Sequence, residues 1–249
     1  MQANSQDFED LVQEAQKNED ILGLILVGSR GKGFESEGSD YDAHLIVKDD
    51  NLGSVKAQYE TKKFPNIDLS VSSLTSLKNY ALPGTPEDCD QYDFAHVKIL
   101  VDKIGELENI CQAKGYLPKD KQKKIIEGNI DAYINGTYRF AKAYQKKRKL
   151  GAHLEATTSV MALLSLVFAL HGRHRPFSVY LKDELENYPL EKLPWPNQKF
   201  LKLISKILKS TDIKSQQEVF SKMEQLCRTE GYGDIYDAWE GRDDLIMKL

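Results

Sequence analysis

The pattern of apolar positions divides the chain into a first part that predicts strands and a second part that predicts helices. Short apolar runs, rich in branched residues and bounded by glycine, proline or acidic turns, predict β-strands at residues 21–27, 41–47, 67–71 and 97–101. Helical spacing predicts helices at residues 7–16, 121–147, 152–171, 180–187, 197–208 and 216–228. Strands followed by helices are typical of an α+β fold. We therefore expect two domains, residues 1–117 and 118–249, with Gly151 breaking the first long helix of the second domain.

Composition and charge narrow the class of protein. The 249 residues are 41% hydrophobic and 29% charged, which is ordinary for a globular protein. The net charge of −4 and the pI near 5.8 argue against a nucleic-acid partner, which usually selects a basic surplus. Three dispersed cysteines and a polar, acidic N-terminus predict a cytoplasmic protein. The apolar stretch at residues 159–170 is too short to predict a membrane span.

The segment 24–47 holds the most informative group of polar residues. A predicted strand ends at Gly28-Ser29, a glycine-rich loop follows, and Asp40-Tyr41-Asp42 leads into the next strand. Residues i and i+2 of a strand share a face, so Asp40 and Asp42 should project together, roughly 6–7 Å apart at Cα. Two carboxylates this close repel each other unless a cation lies between them, and Mg²⁺ prefers such oxygen ligands.

The loop before these acids has features of a phosphate site. Glycine lets the backbone approach a phosphate, and N–H groups at the start of a following helix or turn attract an anion. The Ser29 hydroxyl can donate to the same phosphate, and Arg30 and Lys32 add positive charge. Asp68, on the next predicted strand, could complete a two-metal site or accept a proton from an acceptor hydroxyl.

The pattern Gly28-Ser29, ten residues, then Asp40-Tyr41-Asp42 resembles the nucleotidyltransferase superfamily of DNA polymerase beta and kanamycin nucleotidyltransferase. The motif likeness covers about residues 21–71, and residues 120–190 are more loosely similar to the helical domain of bacterial stand-alone members. The resemblance implies a mixed sheet flanked by helices, then a helical domain that closes over the substrates. It also implies one or two Mg²⁺ ions, with ATP or another nucleoside triphosphate as co-substrate.

The resemblance assigns roles to individual residues. It implies metal ligands at Asp40, Asp42 and Asp68, and a catalytic base at either Asp68 or Glu155. Glu155 shares a helix face with Thr158, Ser159 and Ala162, with Ser165 at the edge of that face, and this small and polar strip could line a cleft. Further nucleotide contacts are assigned to Ser39, Arg175, Tyr180 and Lys182. The sequence departs from the bacterial pattern at Val179, where relatives carry a lysine, and Lys182 is the candidate to replace it.

These observations predict a nucleotidyltransferase that moves a nucleoside monophosphate, by default AMP from ATP, to a hydroxyl group. The expected acceptor is a small aminoglycoside-like molecule, and the expected assembly is a monomer or homodimer without a membrane partner. Two alternatives stay open: a non-catalytic nucleotide-binding regulator such as an antitoxin-like protein, and transfer to a protein or RNA. The basic run at residues 142–149 is interpreted as a solvated helix end favoured by the helix dipole.

Overall fold

The chain forms two compact units in the computed structural model, Met1–Tyr116 and Leu117–Leu249. Residues 5–62, 65–82, 85–239, 241 and 244–248 are described. The fold is α+β, with a mixed sheet flanked by helices in the first unit and a helical second unit, which confirms the predicted class. The roles expected for domains 1–117 and 118–249 stay predictions.

A four-stranded sheet organises the N-terminal unit. Its strands are β1 (Ile21–Leu26), β2 (Tyr41–Val47), β3 (Ile67–Ser73) and β4 (Lys98–Asp102), in the spatial order β3-β2-β1-β4. β1 pairs antiparallel with β2 and β4, whereas β2 and β3 are parallel. All four agree with the predicted strands to within two residues at each end.

Helices cover both faces of this sheet. They are α1 (Ser5–Lys17), α2 (Gly28–Lys32), α3 (Leu52–Glu60), α4 (Leu74–Asn79) and α5 (Leu107–Gly115), with 3₁₀ turns at Asp49–Asn51 and Asp88–Phe94. One apolar core includes side chains of α1 and α3, and the other includes side chains of α4, α5 and the second 3₁₀ turn. Only α1 among these helices was predicted from the sequence.

The C-terminal unit is a helical bundle. Its helices are α6 (Lys119–Gln145), α7 (Lys149–Ala169), α8 (Leu181–Asn187), α9 (Asn197–Ser210), α10 (Ile213–Thr229), α11 (Gly233–Asp237) and α12 (Asp244–Met247), with a 3₁₀ turn at Ser178–Tyr180. The predicted break at Gly151 is wrong, because Gly151 lies inside α7. The chain turns at Lys147, which adopts a left-handed conformation with φ of 54°.

Helix α7 packs against α6 and α9 in this bundle. Within the described residues it is the one helix long and apolar enough, by length and composition, to cross a bilayer. The apolar stretch at residues 159–170 overlaps the C-terminal half of this helix, which was predicted at residues 152–171 and has 21 residues. Its apolar side chains form much of the bundle core, and 56% of the apolar window is buried there.

Candidate functional site

The glycine loop, defined as residues 27–34, follows β1 at the centre of the sheet. Gly28 has φ of 60°, a left-handed conformation that favours glycine. The Gly31 N–H donates to Val27 O at 2.9 Å, and the Phe34 N–H donates to Ser29 O at 2.8 Å. The loop therefore folds into the single turn of α2 rather than remaining irregular. Because α2 has only five residues, its dipole adds little to any anion site here.

Asp42 lies directly against this loop. A Cβ atom at position 28 would overlap the Asp42 carboxylate, so glycine is required both by its φ and by this close approach. The backbone holds the two segments together, since the Val27 N–H donates to Asp42 O at 2.9 Å. The second acid of the Asp-x-Asp pattern and the glycine of the phosphate pattern are thus immediate neighbours.

The pairing of β2 with β3 places Asp68 beside Asp42. Their Cα atoms are register partners across the parallel pair, where neighbouring strands lie about 4.8 Å apart. Tyr41 and Ala43 belong to the core with α1 and α3, so Asp42 projects from the other face of the sheet. Asp68 is exposed on the edge strand, and Asp40 is exposed just before β2.

The electrostatics of Asp42 reflect this grouping of acids. Burial raises the pKa of the Asp42 carboxyl, and the charges of Asp40 and Asp68 raise it further, whereas Lys32 opposes the shift. Like charges on neighbouring carboxylates disfavour their simultaneous ionisation, and a cation would relieve that repulsion. However, no group of three or more His, Cys, Asp or Glu residues converges to a metal-holding geometry in the described part of the chain.

Arg30 and Ser39 stabilise the segment before Asp40. The Arg30 guanidinium donates to Ser39 O at 2.8 Å and to Asp40 O at 3.0 Å, and it stacks over the Tyr41 ring at 4.1 Å. The Ser39 hydroxyl accepts from the Ser36 N–H at 3.0 Å. Both residues were expected to contact nucleotide, and both are engaged in shaping the loop that carries Asp40.

Lys32 differs most from its expected role. Its side chain is buried, and its ammonium donates to three backbone carbonyls, those of Tyr92, Asp93 and Ala95. An ammonium has three donors, so these three acceptors match its capacity. In this structure the ammonium is directed to these carbonyls, and its expected contact with a phosphate stays a prediction.

Two further polar residues near Asp42 were not identified from the sequence. His44 follows Asp42 on the same face of β2, and burial lowers its pKa while the charge of Asp68 opposes the shift. Asp93 lies in the 3₁₀ turn at Asp88–Phe94; burial raises its pKa, Lys32 opposes this, and Asp90 and Asp42 add to it. His44 could have been found from strand alternation, whereas no local pattern indicated Asp93.

The predicted site residues of the helical unit lie on its helices and connecting turns, where three of them contact neighbouring side chains. The Glu155 carboxylate pairs with Arg139 at 2.7 Å, and Lys182 is an exposed residue of α8, 3.8 Å from Glu186. Tyr180 ends the 3₁₀ turn before α8, and Arg175 donates to the Met161 sulfur at 3.6 Å.

The expected polar strip on α7 is only partly correct. Thr158 is exposed and both Ala162 and Ser165 are partly buried, but Ser159 is fully buried. Its hydroxyl hydrogen-bonds to Thr137 at 2.7 Å and accepts from Gln216 at 3.1 Å. Ser159 therefore joins three helices of the bundle core and does not line a cleft.

Only part of the chain matches a known protein family. A profile of a domain of unknown function, DUF4037, matches residues 92–181, which begins after the glycine loop and the three acids. No curated protein matches the chain.

Two solved structures resemble parts of the chain. A nucleotidyltransferase-like protein from Exiguobacterium sibiricum 255-15 is 12% identical with a TM-score of 0.42, and the alignment covers 94% of this chain and 77% of that chain. A toxin–antitoxin structure with AMP-PNP is 14% identical with a TM-score of 0.26, covering 45% of this chain and 83% of that chain. At these scores the chemistry of this chain has to be argued from its own residues.

Proposed function

We propose that the protein transfers a nucleoside monophosphate from a nucleoside triphosphate, by default ATP, to a hydroxyl group and releases pyrophosphate. The observation that carries the proposal is the contact of the Asp42 carboxylate with Gly28, beside Asp68 on the adjacent strand. A glycine-lined backbone next to clustered carboxylates suits a reaction that depends mainly on positioning phosphates and neutralising their charge.

Magnesium fits the chemistry of these donors. Asp40, Asp42 and Asp68 offer hard oxygen ligands, and the pKa of Asp42 is raised by its burial and, after that, by repulsion from Asp40 and Asp68 that a divalent cation would relieve. These three residues would hold one or two ions, whose charge would draw together carboxylates that do not converge to a metal-holding geometry in the described part of the chain. When bound, magnesium would neutralise the triphosphate charge and polarise the reacting phosphate. The protein itself would contact the phosphates through the Ser29 hydroxyl and through the backbone at Gly28, which can approach them closely because glycine has no side chain.

Of the two candidate bases, we propose Asp68. It is exposed on β3 and adjacent to Asp42, so a hydroxyl placed near the acids could give its proton to it. The Glu155 carboxylate, in contrast, is held by the Arg139 guanidinium at 2.7 Å. The oxygen that would have to accept the proton is thus already engaged by a cation.

The direct test compares Asp40→Asn, Asp42→Asn and Asp68→Asn with Asp50→Asn, an exposed acid of the same unit. Each site variant should lose pyrophosphate release with Mg²⁺ and triphosphate by at least about 100-fold while keeping a cooperative thermal transition. Asp50→Asn should keep activity because it changes the same charge away from Gly28. Full activity in the Asp42 variant would contradict the proposed function.

The acceptor is proposed to be a small hydroxyl compound of the aminoglycoside kind, as the resemblance implies. One observation favours RNA as a second candidate: residues 117–249 contain 23 Lys and Arg against 17 Asp and Glu, although the whole chain is acidic. Transfer of labelled nucleotide to separated small-molecule, protein and RNA fractions of a cell extract distinguishes the candidates. We expect label in the small-molecule fraction, and label in RNA alone would favour the second candidate.

The competing function is a non-catalytic nucleotide-binding regulator. Calorimetry with ATP and Mg²⁺, followed by the pyrophosphate assay across hydroxyl acceptors, separates the two. Binding combined with turnover supports the transferase, whereas binding without turnover on any fraction would support the regulator.

A further inference from the structure

Two lysines are buried among the described residues of the N-terminal unit, Lys32 at 2% exposure and Lys114 at 5%. Burying an ammonium costs several kcal/mol unless it is hydrogen-bonded or paired. Lysine is rarely placed in such a position by packing alone. Each of the two buried ammonium groups must therefore be compensated by hydrogen bonds or by neighbouring charges.

The contacts of Lys32 join two segments that are distant in sequence. Its stem begins in the glycine loop, and its ammonium donates to Tyr92 O at 3.2 Å, Asp93 O at 3.0 Å and Ala95 O at 2.7 Å. The ammonium also lies 4.7 Å from the centre of the Tyr92 ring, where a cation–π attraction operates. Residues 92–95 are thus held against the glycine loop by a buried charge-assisted network.

The same ammonium interacts electrostatically with two carboxyls near the glycine loop. Its charge acts on the carboxyls of both Asp42 and Asp93, in opposition to the effect of their burial. Since Asp42 in turn contacts Gly28, one buried cation is linked to the glycine loop, to Asp42 and to the segment that carries Asp93. A cation in this place offsets repulsion among the acids before any metal binds.

We propose that Lys32 is a positioning residue of the site, whose buried ammonium fixes residues 92–95 against the glycine loop and so sets the positions of Asp42 and Asp93, without binding phosphate itself. The catalytic consequence of this inference rests on the proposed function.

Lys114 provides a matched control. It donates to Lys78 O at 3.2 Å and to Tyr80 O, and its ammonium lies 5.6 Å from the centre of the Phe94 ring. Burial lowers its pKa and Cys111 opposes the shift, and among the described residues neither Asp42 nor Asp93 contributes to it. It has the same chemistry as Lys32, but its ammonium reaches residues 92–95 only through the face of the Phe94 ring and donates its hydrogen bonds to Lys78 and Tyr80, outside both that segment and the glycine loop.

The experiment compares Lys32→Met, Lys32→Arg and Lys114→Met by hydrogen exchange and steady-state kinetics. Lys32→Met should speed exchange at the amides of Gly31, Phe34 and Ala95, whose hydrogen bonds stabilise the joined segments. It should lower kcat on the order of 100-fold and change KM for the triphosphate less than about threefold. Lys32→Arg should resemble it, because a planar guanidinium does not fit three carbonyls arranged around a compact ammonium.

Lys114→Met should speed exchange near Tyr80, leave Gly31 and Phe34 protected, and keep kcat within about threefold. If Lys32→Met does not fold, Lys32→Gln, which keeps two donors, should show the same pattern with smaller changes. A raised KM with unchanged kcat and unchanged exchange would assign Lys32 to phosphate and overturn the proposal, as would full activity in Lys32→Arg.

Activity tests the proposed nucleotidyl transfer, whereas hydrogen exchange tests the positioning role of Lys32 independently of activity. If the wild type transfers nucleotide to no acceptor, the proposed function fails, and hydrogen exchange alone judges Lys32. Faster exchange at both segments in Lys32→Met would still support the positioning role, whereas unchanged exchange would overturn it.

Discussion

Gly28 is a residue on which two independent constraints act. Its φ of 60° disfavours any side chain, and the Asp42 carboxylate occupies the space where a Cβ would lie. The sequence indicated a glycine for phosphate approach, but its contact with an acid depends on the pairing of β1 with β2. Only the second constraint links this glycine to the chemistry of the site.

Gly28→Ala tests that link against Gly38→Ala. Both glycines have positive φ, so each variant should lose about 1–2 kcal/mol from backbone strain. At Gly38 a Cβ would meet nothing within 4 Å, whereas at Gly28 it would displace Asp42. Transfer should therefore fall on the order of 100-fold in Gly28→Ala alone, measured as pyrophosphate release. Equal activity in the two variants would contradict a role for the Gly28–Asp42 contact.

The environment of Asp42 also predicts how the free energy of unfolding depends on pH. Its pKa is raised in the folded state by burial and by neighbouring acids, so between the unfolded and folded pKa values the folded protein binds more protons than the unfolded chain. Its contribution to the free energy of unfolding therefore decreases as the pH rises above the ordinary carboxyl range. Asp42→Asn should unfold at higher urea than the wild type at about pH 7, and the difference should shrink toward about pH 4.

Asp50→Asn is the control for this pH effect, because it removes an exposed acid of the same unit. Its unfolding midpoint should follow the wild type at both pH values. Added Mg²⁺ should stabilise the wild type and narrow its gap to Asp42→Asn. A constant gap at every pH would show that Asp42 is not under electrostatic strain.

At the scale of elements, the strands could be predicted and the short helices could not. β1 and the second half of β2 are apolar runs because they are buried on both faces, whereas β3 alternates apolar and polar residues, and both patterns are clear in the sequence. Helices α3 and α4 have 9 and 6 residues, too few for a clear helical period. The 3₁₀ turn that carries Asp93 is held by Lys32, a contact 61 residues apart in sequence.

Helix α8 depends on a buried ion pair. Arg173 pairs with Glu184, with 14% and 1% of their side chains exposed, and Arg173 also donates to Tyr188 O at 2.8 Å. Removing one partner leaves an uncompensated charge, so Glu184→Gln should lower the free energy of unfolding by about 3–5 kcal/mol. Glu186→Gln, which disrupts only the exposed pair with Lys182, should cost less than about 0.5 kcal/mol. Urea unfolding of both variants checks this, and similar losses would contradict it.

At the scale of the whole molecule, the net charge of −4 is the sum of the charges of two units that have opposite signs. Residues 1–116 contain 11 Lys and Arg against 21 Asp and Glu, whereas residues 117–249 have a basic surplus. Part of that surplus is a row of exposed lysines on α9, at Lys202, Lys206 and Lys209. The argument from total charge against an anionic partner therefore does not apply to the helical unit.

This charge distribution predicts binding to a cation-exchange resin, which the pI of 5.8 alone would not predict. At about pH 7 the full chain should bind a cation-exchange resin at low salt, because a local basic surface attracts the matrix within a Debye length. Replacing the three α9 lysines with glutamate should lower the salt needed for elution. The same change at Lys48, Lys56 and Lys103 alters net charge equally and should have a smaller effect. Equal shifts would contradict a localised surface.

The sequence by itself determined the fold class, the four strands and the spacing of Gly28, Ser29, Asp40 and Asp42, because apolar periodicity and turn residues act locally along the chain. Strand register, which depends on pairing between segments, placed Asp68 beside Asp42. The tertiary structure alone decided that Lys32 is buried and that Ser159 lies in the helical core. These outcomes arise from contacts between residues far apart in sequence, and no local pattern encodes them.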